Sequence, residues 1–326
     1  MKNKPQTIDF SVVIPVYNRP EEIQELLHSL TKQTYSHFEV LIIEDGSTEK
    51  CEQIVESFSN RLDVTYIYKE NSGQGFSRNL GFEEAKGEYF IIFDSDCLIP
   101  PLYFETVNNH IQSQWLDAFG GPDKAHDSFS ILQKAISYSM TSPFTTGGIR
   151  GNTKHAGTFH PRSFNMGISR TVFEKTDGFK ITRMGEDIEL SIRTNRLGFK
   201  TGLIPQAFVF HKRRTSLTQF FKQLHFFGRA RINIGRFYPA EIKFVHWLPL
   251  LFLMLGVLYI TLPFWAPHYF IIATFFVVSY FGALAIHSTY KNGNILVGLL
   301  SIITSVVQLA AYGLGFVTEL FNKETQ

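Results

Sequence analysis

Apolar and polar positions change period several times along the chain. Phe10–Val16 is a β-rich apolar run, the pattern of a strand. After it, Ile23, Leu26, Leu27 and Leu30 recur at helical spacing, behind Asn18, Pro20, Glu21 and Glu22. Those residues suit a cap and an acidic first turn, with Asn18 as the capping residue. The alternation continues with a strand over 38–43, a helix over 49–59, a strand over 64–68, a helix over 74–85 and a buried strand at Tyr89–Phe93. Such β-α-β-α order predicts an α/β domain with a parallel sheet, helices on both faces and ligands at the carboxyl ends of the strands.

The pattern then lapses. Residues 121–163 are rich in Gly, Ser, Thr and Pro without clear periodicity, which predicts a long loop or lid over the site. Order returns at 163–169, followed by a helical stretch 171–176, a turn at Asp177-Gly178 and a helix over about 185–197. Further on, Leu217, Phe220, Phe221, Leu224 and Phe227 share one helical face, with Lys222, Arg229, Arg231 and Arg236 around it. This suits an interfacial helix on anionic lipid, and also a domain helix packed on its own core. Three apolar stretches follow, at about 244–264, 269–286 and 295–317, each reaching the ~17–25 residues that cross a bilayer. The expected division is a catalytic domain over 1–212, a basic interfacial region over 213–243 and a membrane domain over 244–326. Three crossings would put Gln326 on the side opposite the catalytic domain.

Charge sharpens that division. Residues 1–206 carry 21 Lys and Arg against 26 Asp and Glu; residues 207–243 carry eight against Glu241 alone; from Phe244 to Thr318 the sole formal charge is Lys291. A basic collar ahead of the first apolar stretch, and Lys291 between the second and third, mark a cytoplasmic side at a cell (inner) membrane. The opening residues hold no apolar signal segment, so the first domain is expected to stay in the cytoplasm. Membrane lipids are the expected surface partner, and nucleic acid is not. Cys51 and Cys97 are too few for a disulfide framework and lack zinc-site spacing; Cys97 is read as an ordinary reduced thiol.

The candidate chemistry lies at strand ends. Asp94-Ser95-Asp96 closes the apolar strand Tyr89–Phe93. Such a triplet arises by chance about once in a chain of this length. Carboxylates at the end of a buried strand nevertheless face the ligand crevice, where hard oxygens suit Mg²⁺ or Mn²⁺ held with substrate phosphates; capping the next helix is the alternative. Glu44-Asp45-Gly46-Ser47 closes the second strand, and Asp45 could accept hydrogen bonds from a base or sugar, or simply belong to a turn. Arg78 could meet a diphosphate or form a salt bridge. Glu186 and Asp187 open a helix, where acids also favour the helix dipole. His211 could be a metal or phosphate ligand or a surface histidine.

Taken in order, Ser11-Val12-Val13-Ile14-Pro15-Val16-Tyr17-Asn18, Glu44-Asp45-Gly46-Ser47, Arg78-Asn79, Asp94-Ser95-Asp96, Asn165-Met166-Gly167 and Gly185-Glu186-Asp187 resemble the family 2 glycosyltransferases of the GT-A fold, over about residues 8–212. The resemblance implies a Rossmann-like nucleotide-sugar-binding domain followed by transmembrane helices. It implies a nucleotide-base pocket at Pro15, Tyr17 and Asp45, with Arg78 nearby, a ribose or sugar contact at Asp94, and Asn165-Met166 lining the donor-sugar side. Asp96 would ligate Mn²⁺ or Mg²⁺, His211 sits where some relatives have a metal-proximal histidine, and Asp187 would be the general base supported by Glu186. The implied activity is a hexosyltransferase that passes one sugar, with inversion, from a UDP-sugar or GDP-sugar to a lipid-associated or membrane-proximal hydroxyl in cell-envelope biosynthesis. Two departures matter. Glu44 stands where the family often has aspartate. Gln223-Leu224-His225-Phe226-Phe227 lacks the Arg and Trp of the Q-x-x-R-W motif of processive synthases, which argues against a processive polymerase. A catalytically silent nucleotide-sugar-binding scaffold is the rival of another class, and the joint presence of Asp94, Asp96 and Asp187 speaks against it.

Overall fold

The computed structural model describes residues 9–126, 128–146 and 159–322. In chain order it runs β1 (Phe10–Val16), α1 (Pro20–Leu30), β2 (Phe38–Asp45), α2 (Glu52–Glu56), β3 (Val64–Lys69), α3 (Gln74–Glu84), β4 (Tyr89–Phe93), β5 (Cys97–Leu98), α4 (Tyr103–Ser113), β6 (Ala118–Gly120) and β7 (Asp123–Lys124). Then come α5 (Ile131–Thr141), α6 (Pro143–Thr146), β8 (Asn165–Ser169), α7 (Arg170–Thr176), α8 (Glu186–Arg196), β9 (Thr201–Leu203) and β10 (Val209–His211). Four long helices end the chain: α9 (Leu217–Phe237), α10 (Leu248–Trp265), α11 (Pro267–Asn292) and α12 (Ile295–Phe321). They form two compact units, one of residues 1–126 and 153–212, the other of 127–152 and 213–326.

In the first unit a seven-stranded sheet has the order β3-β2-β1-β4-β8-β6-β9. Strands β3, β2, β1 and β4 are parallel, as their alternation with helices requires, and end on one edge. The sheet is mixed, not purely parallel, because β8 runs antiparallel to both β4 and β6. A parallel neighbour needs a crossover connection; β8 instead arrives from a long excursion and a turn bridging Arg162 to Asn165. Apolar residues on the two faces of the central strands feed separate cores. Val12, Ile14, Val40, Ile42 and Phe93 pack with α1 and α4, while Val13, Leu41, Ile43, Phe90 and Ile92 pack with α3 and α7. Helix α2 is much shorter than its apolar pattern suggests. The Ser57 and Ser59 hydroxyls bond the carbonyls of Ile54 and Glu56, and i→i+3 bonds tighten the chain there, a common way for a helix to stop.

The second unit takes in part of the stretch expected to be a loop. Residues 131–141 are helix α5, opened by a capping box between Ser130 and Gln133; residues 127 and 147–158 lie outside the described residues, as does Gln326. Phe220 and Leu224 of α9 pack with Ile136 and Met140 of α5 and Ala311 of α12. Part of the apolar face of α9, Phe220 and Leu224, is therefore covered by protein and not left for lipid, while Phe221 stays exposed. Nor are all its cations available to anionic headgroups, since Arg229 and Arg236 both bond Glu319, each at 2.8 Å. Close approach of α9 and α12 depends on glycine: a Cβ on Gly228 would lie 2.1 Å from the Tyr312 carbonyl oxygen, and one on Gly315 would lie 2.0 Å from that of His225. Helices α10, α11 and α12 are each long and apolar enough to cross a membrane, with mean hydropathy 2.0, 2.1 and 2.1.

Candidate active site

The carboxyl ends of the parallel strands gather the candidates. Pro15 is half-buried opposite Ile43, and Tyr17, just beyond β1, is 53% exposed. Asn18 does not cap α1. It adopts a left-handed conformation (φ 51°), which asparagine tolerates, and its Oδ1 accepts the backbone N–H groups of Thr48 and Glu49 at 2.9 and 3.0 Å. The β1 loop is thereby stitched to the β2 loop. Glu44 points inward: its carboxylate accepts from Ser47, from the Cys51 backbone at 2.8 Å and from the Cys51 thiol at 2.9 Å. That burial and that acid push the Cys51 thiol pKa well up.

Asp45 is buried at the rim. Its carboxylate accepts from Lys69 Nζ at 2.7 Å and from the Ser72 and Gly73 backbones at 2.9 Å each. Burial alone would raise its pKa, but the hydrogen bonds from Lys69 and Ser72 outweigh that and hold the carboxyl below its ordinary value. Lys69 was not singled out in the sequence, although strand register alone pairs it with Asp45.

Arg78 is 1% exposed, with Nη2 3.0 Å from Asp94 Oδ1 and Nη1 3.1 Å from Glu186 Oε1. It is enclosed between two acids, so of the two readings the sequence allows it makes the ion pairs, and makes them in a buried position. Gly75 explains how α3 comes so near: a Cβ there would stand 2.6 Å from the Ile181 carbonyl oxygen. The approach also brings Gln74, unnoticed in the sequence, to donate to Glu186. Burial, then the neighbouring Asp187, raise the Glu186 pKa against the pull of Arg78. Burial likewise raises that of Asp94, with Arg78 opposing and Asp96 adding to the rise. Met184 (φ 60°) and Gly185 (φ 100°) make the left-handed turn into α8. Asp187, in its first turn, is mostly buried; its Oδ2 lies 3.5 Å from Arg162 and its Oδ1 accepts from the Ile188 backbone. Asn165 is fully buried: Oδ1 accepts from Tyr103 at 2.5 Å and Nδ2 donates to the Ala207 carbonyl at 2.8 Å. Its side chain is a strut within the fold and not an open donor contact.

Arg78→Met is expected to lower the stability of the solubilised protein by about 3–5 kcal/mol, because Glu186 would be left as an uncompensated buried acid. Chemical denaturation checks this, and a loss below about 1 kcal/mol would contradict the bridging role.

Beyond β4, Asp96 meets His211. β10 pairs antiparallel with β5, setting His211 opposite Cys97 and bringing His211 Nε2 to 3.0 Å from Asp96 Oδ1. Phe164 stacks on the imidazole with centroids 5.0 Å apart. The ligating atoms of Asp96, Cys97 and His211 all lie within 4.8 Å of one another. As a donor set, the carboxylate and imidazole fit a divalent ion such as Mn²⁺ or Mg²⁺ and leave positions for phosphate oxygens and water. Cys97 fits less well: burial, then Asp96 and Asp94, hold its thiol protonated, and a neutral sulfur is a poor ligand for hard cations.

Known proteins resemble this chain in part of its sequence and in its fold. The chain is 35% identical over 115 residues to glycosyltransferase GlyG of Streptococcus pneumoniae, covering 34% of this chain and 38% of that protein. It is 36% identical over 144 residues to glycosyltransferase AglE of Haloferax volcanii, covering 40% of this chain and 47% of that one. The matched segments thus span less than half the length of either relative. Among solved structures it resembles mannosyltransferase PcManGT from Pyrobaculum calidifontis, in complex with GDP-Man and Mn²⁺, with a TM-score of 0.67 at 18% identity over 98% of this chain and 89% of that one. That likeness carries the fold, a GT-A core followed by apolar helices. The model of "Glycosyl transferase family 2" matches residues 11–177, just over half of the chain, and the protein belongs to that family.

Proposed function

We propose that the protein passes a single hexose from a nucleotide-sugar, a UDP-sugar or GDP-sugar, to the hydroxyl of a lipid-linked or membrane-proximal acceptor, with inversion. The observation that carries this reading is that Asp94 and Glu186 share the buried Arg78, with Asp187 next to Glu186 in the chain, and that Asp96, two residues beyond Asp94, meets His211. Tyr17 and Asp45 are the residues assigned to the base of the nucleotide, and Asp94 to the ribose or sugar. Asp96 and His211 would hold the divalent cation, Mn²⁺ or Mg²⁺, which when bound offsets negative charge on the diphosphate. Asp187 takes the proton of the acceptor hydroxyl as its oxygen attacks the anomeric carbon, and the bond to the diphosphate breaks on the opposite face. Arg78 and Gln74 keep Glu186, and through it the first turn of α8, in place. The GDP-Man and Mn²⁺ in the Pyrobaculum enzyme support the donor class, and the three apolar helices with the basic 207–243 segment support a cell-membrane location with the catalytic unit on the cytoplasmic face.

The purified protein, given UDP- and GDP-sugars with Mn²⁺ and an isoprenoid-phosphate or glycolipid acceptor, should release nucleotide diphosphate and stop in excess EDTA. Donor binding without release would identify the silent scaffold; undiminished turnover in EDTA would remove the metal from the reading.

A further inference from the structure

The contacts within the second unit set α12 apart from the other two apolar helices. Helices α10 and α11 meet near their turn, where Tyr259 contacts Thr274 at 3.1 Å and packs on Phe270. Their far ends reach different places on α12. At the start of α10, Trp247 packs on Phe316 with centroids 4.9 Å apart, and a Cβ on Gly313 would stand 2.7 Å from the Pro249 carbonyl oxygen. At the end of α11, Ser288 bonds Ser301 at 2.7 Å, and a Cβ on Gly298 would stand 2.7 Å from the Ala285 carbonyl oxygen. If α10 and α11 both cross a bilayer, the start of one and the end of the other lie on the same side. Positions 298 and 316 are about 27 Å apart along a helix, close to the ~30 Å hydrocarbon thickness. A spanning α12 would put them on opposite sides; the hairpin holds both on one.

The helices on the other flank of α12 point the same way. Helix α9 runs beside its second half, from Phe220 and Leu224 at Ala311 to Arg236 at Glu319, and also carries Lys222, Arg229 and Arg231. A crossing α12 would carry that basic helix to membrane depth, where charged side chains are strongly disfavoured. The faces of α12 differ too. Ser301, Thr304, Ser305, Gln308 and Glu319 are buried, with Thr304 and Ser305 bonding Ser139 of α5 at 2.5 and 3.1 Å. Leu296, Leu299, Ile303, Val306, Leu314 and Leu320 are exposed. In α10 and α11, by contrast, only 6% of the apolar window is buried, against 39% in α12.

We propose that α10 and α11 alone cross the membrane, and that α12 lies in the plane of the bilayer surface. Its exposed apolar row rests on acyl chains, and its polar row is roofed by α5 and α9. The end of α12 is then on the same side as its start. This rests on the membrane reading above and is independent of the reaction assigned to the first unit.

Single-cysteine labelling of the full chain in sealed, inverted vesicles with a membrane-impermeant maleimide tests it. The positions are His268 in the first turn of α11, next to the α10–α11 connection, Asn292 at the end of α11 and Asn322 after α12; Cys51 and Cys97 are buried and give little background. Asn292→Cys and Asn322→Cys should label together from one face, and His268→Cys only from the other. Asn322→Cys labelling with His268→Cys would mean three crossings and overturn the proposal while leaving the membrane reading intact. Labelling of all three from one face would overturn both. Protease access to an epitope appended after Gln326 reads the same side without altering any contact.

Discussion

Asp187→Asn is expected to keep donor affinity within a few-fold of the parent and to lose about 10²–10⁴-fold in kcat. An acceptor hydroxyl is a poor nucleophile until its proton is taken, and the amide keeps the shape of the carboxylate but not its basicity. The geometry favours a clean substitution. Asp187 lies 3.5 Å from Arg162 and accepts from the Ile188 backbone, while the buried Arg78–Glu186 contact beside it is untouched. Loss of kcat with donor binding retained is the pattern of an interaction that matters only in the transition state. Donor titration by calorimetry, turnover by nucleotide release and product configuration by NMR together check it. Near-normal kcat, or a product that retains the donor's anomeric configuration, would overturn the assignment of Asp187.

Asp96→Ala is expected to abolish the Mn²⁺-dependent part of nucleoside-diphosphate binding. The substitution leaves the His211 imidazole as one ligand beside a protonated Cys97, and a single imidazole holds a hard cation weakly. Calorimetry of UDP and GDP with and without Mn²⁺, and Mn²⁺ binding read by electron paramagnetic resonance, measure this without any turnover. Because ligand binding raises apparent stability, the parent should gain thermal stability from nucleotide plus Mn²⁺ and the variant should not. Equal Mn²⁺ binding by parent and variant would take Asp96 out of the metal site. His211→Ala should fall between the two, since the carboxylate that remains supplies the charge.

Local pattern was enough for a good part of this protein. The runs at β1, β2, β3 and β4 and the helices between them are legible because burial in a layered α/β unit imposes period 2 or continuous apolarity on strands and period 3.6 on helices. The acids at their ends are legible because parallel strands must finish on one edge, so Asp45 and Asp94-Ser95-Asp96 stand on the same edge of the sheet.

What one side chain does toward another was not legible. Glu44 and Asp45 are adjacent acids of the same local kind, yet one turns into the core to receive Cys51 and the other to the rim to receive Lys69. Arg78 read as a diphosphate contact or a surface salt bridge because nothing in its neighbourhood announced that Gly75 would let α3 press against Ile181 and bury it between Asp94 and Glu186. The direction of β8 depended on a 40-residue-scale connection, not on its own five residues. Helix α12 makes the point most sharply. Its mean hydropathy equals that of α11, so composition cannot separate the two. Hydropathy measures what a helix would prefer to touch; only the packing of Gly298 on α11, Gly313 on α10 and Glu319 on α9 records what it does touch. Contacts between residues far apart in sequence carry that information, and no local window contains it.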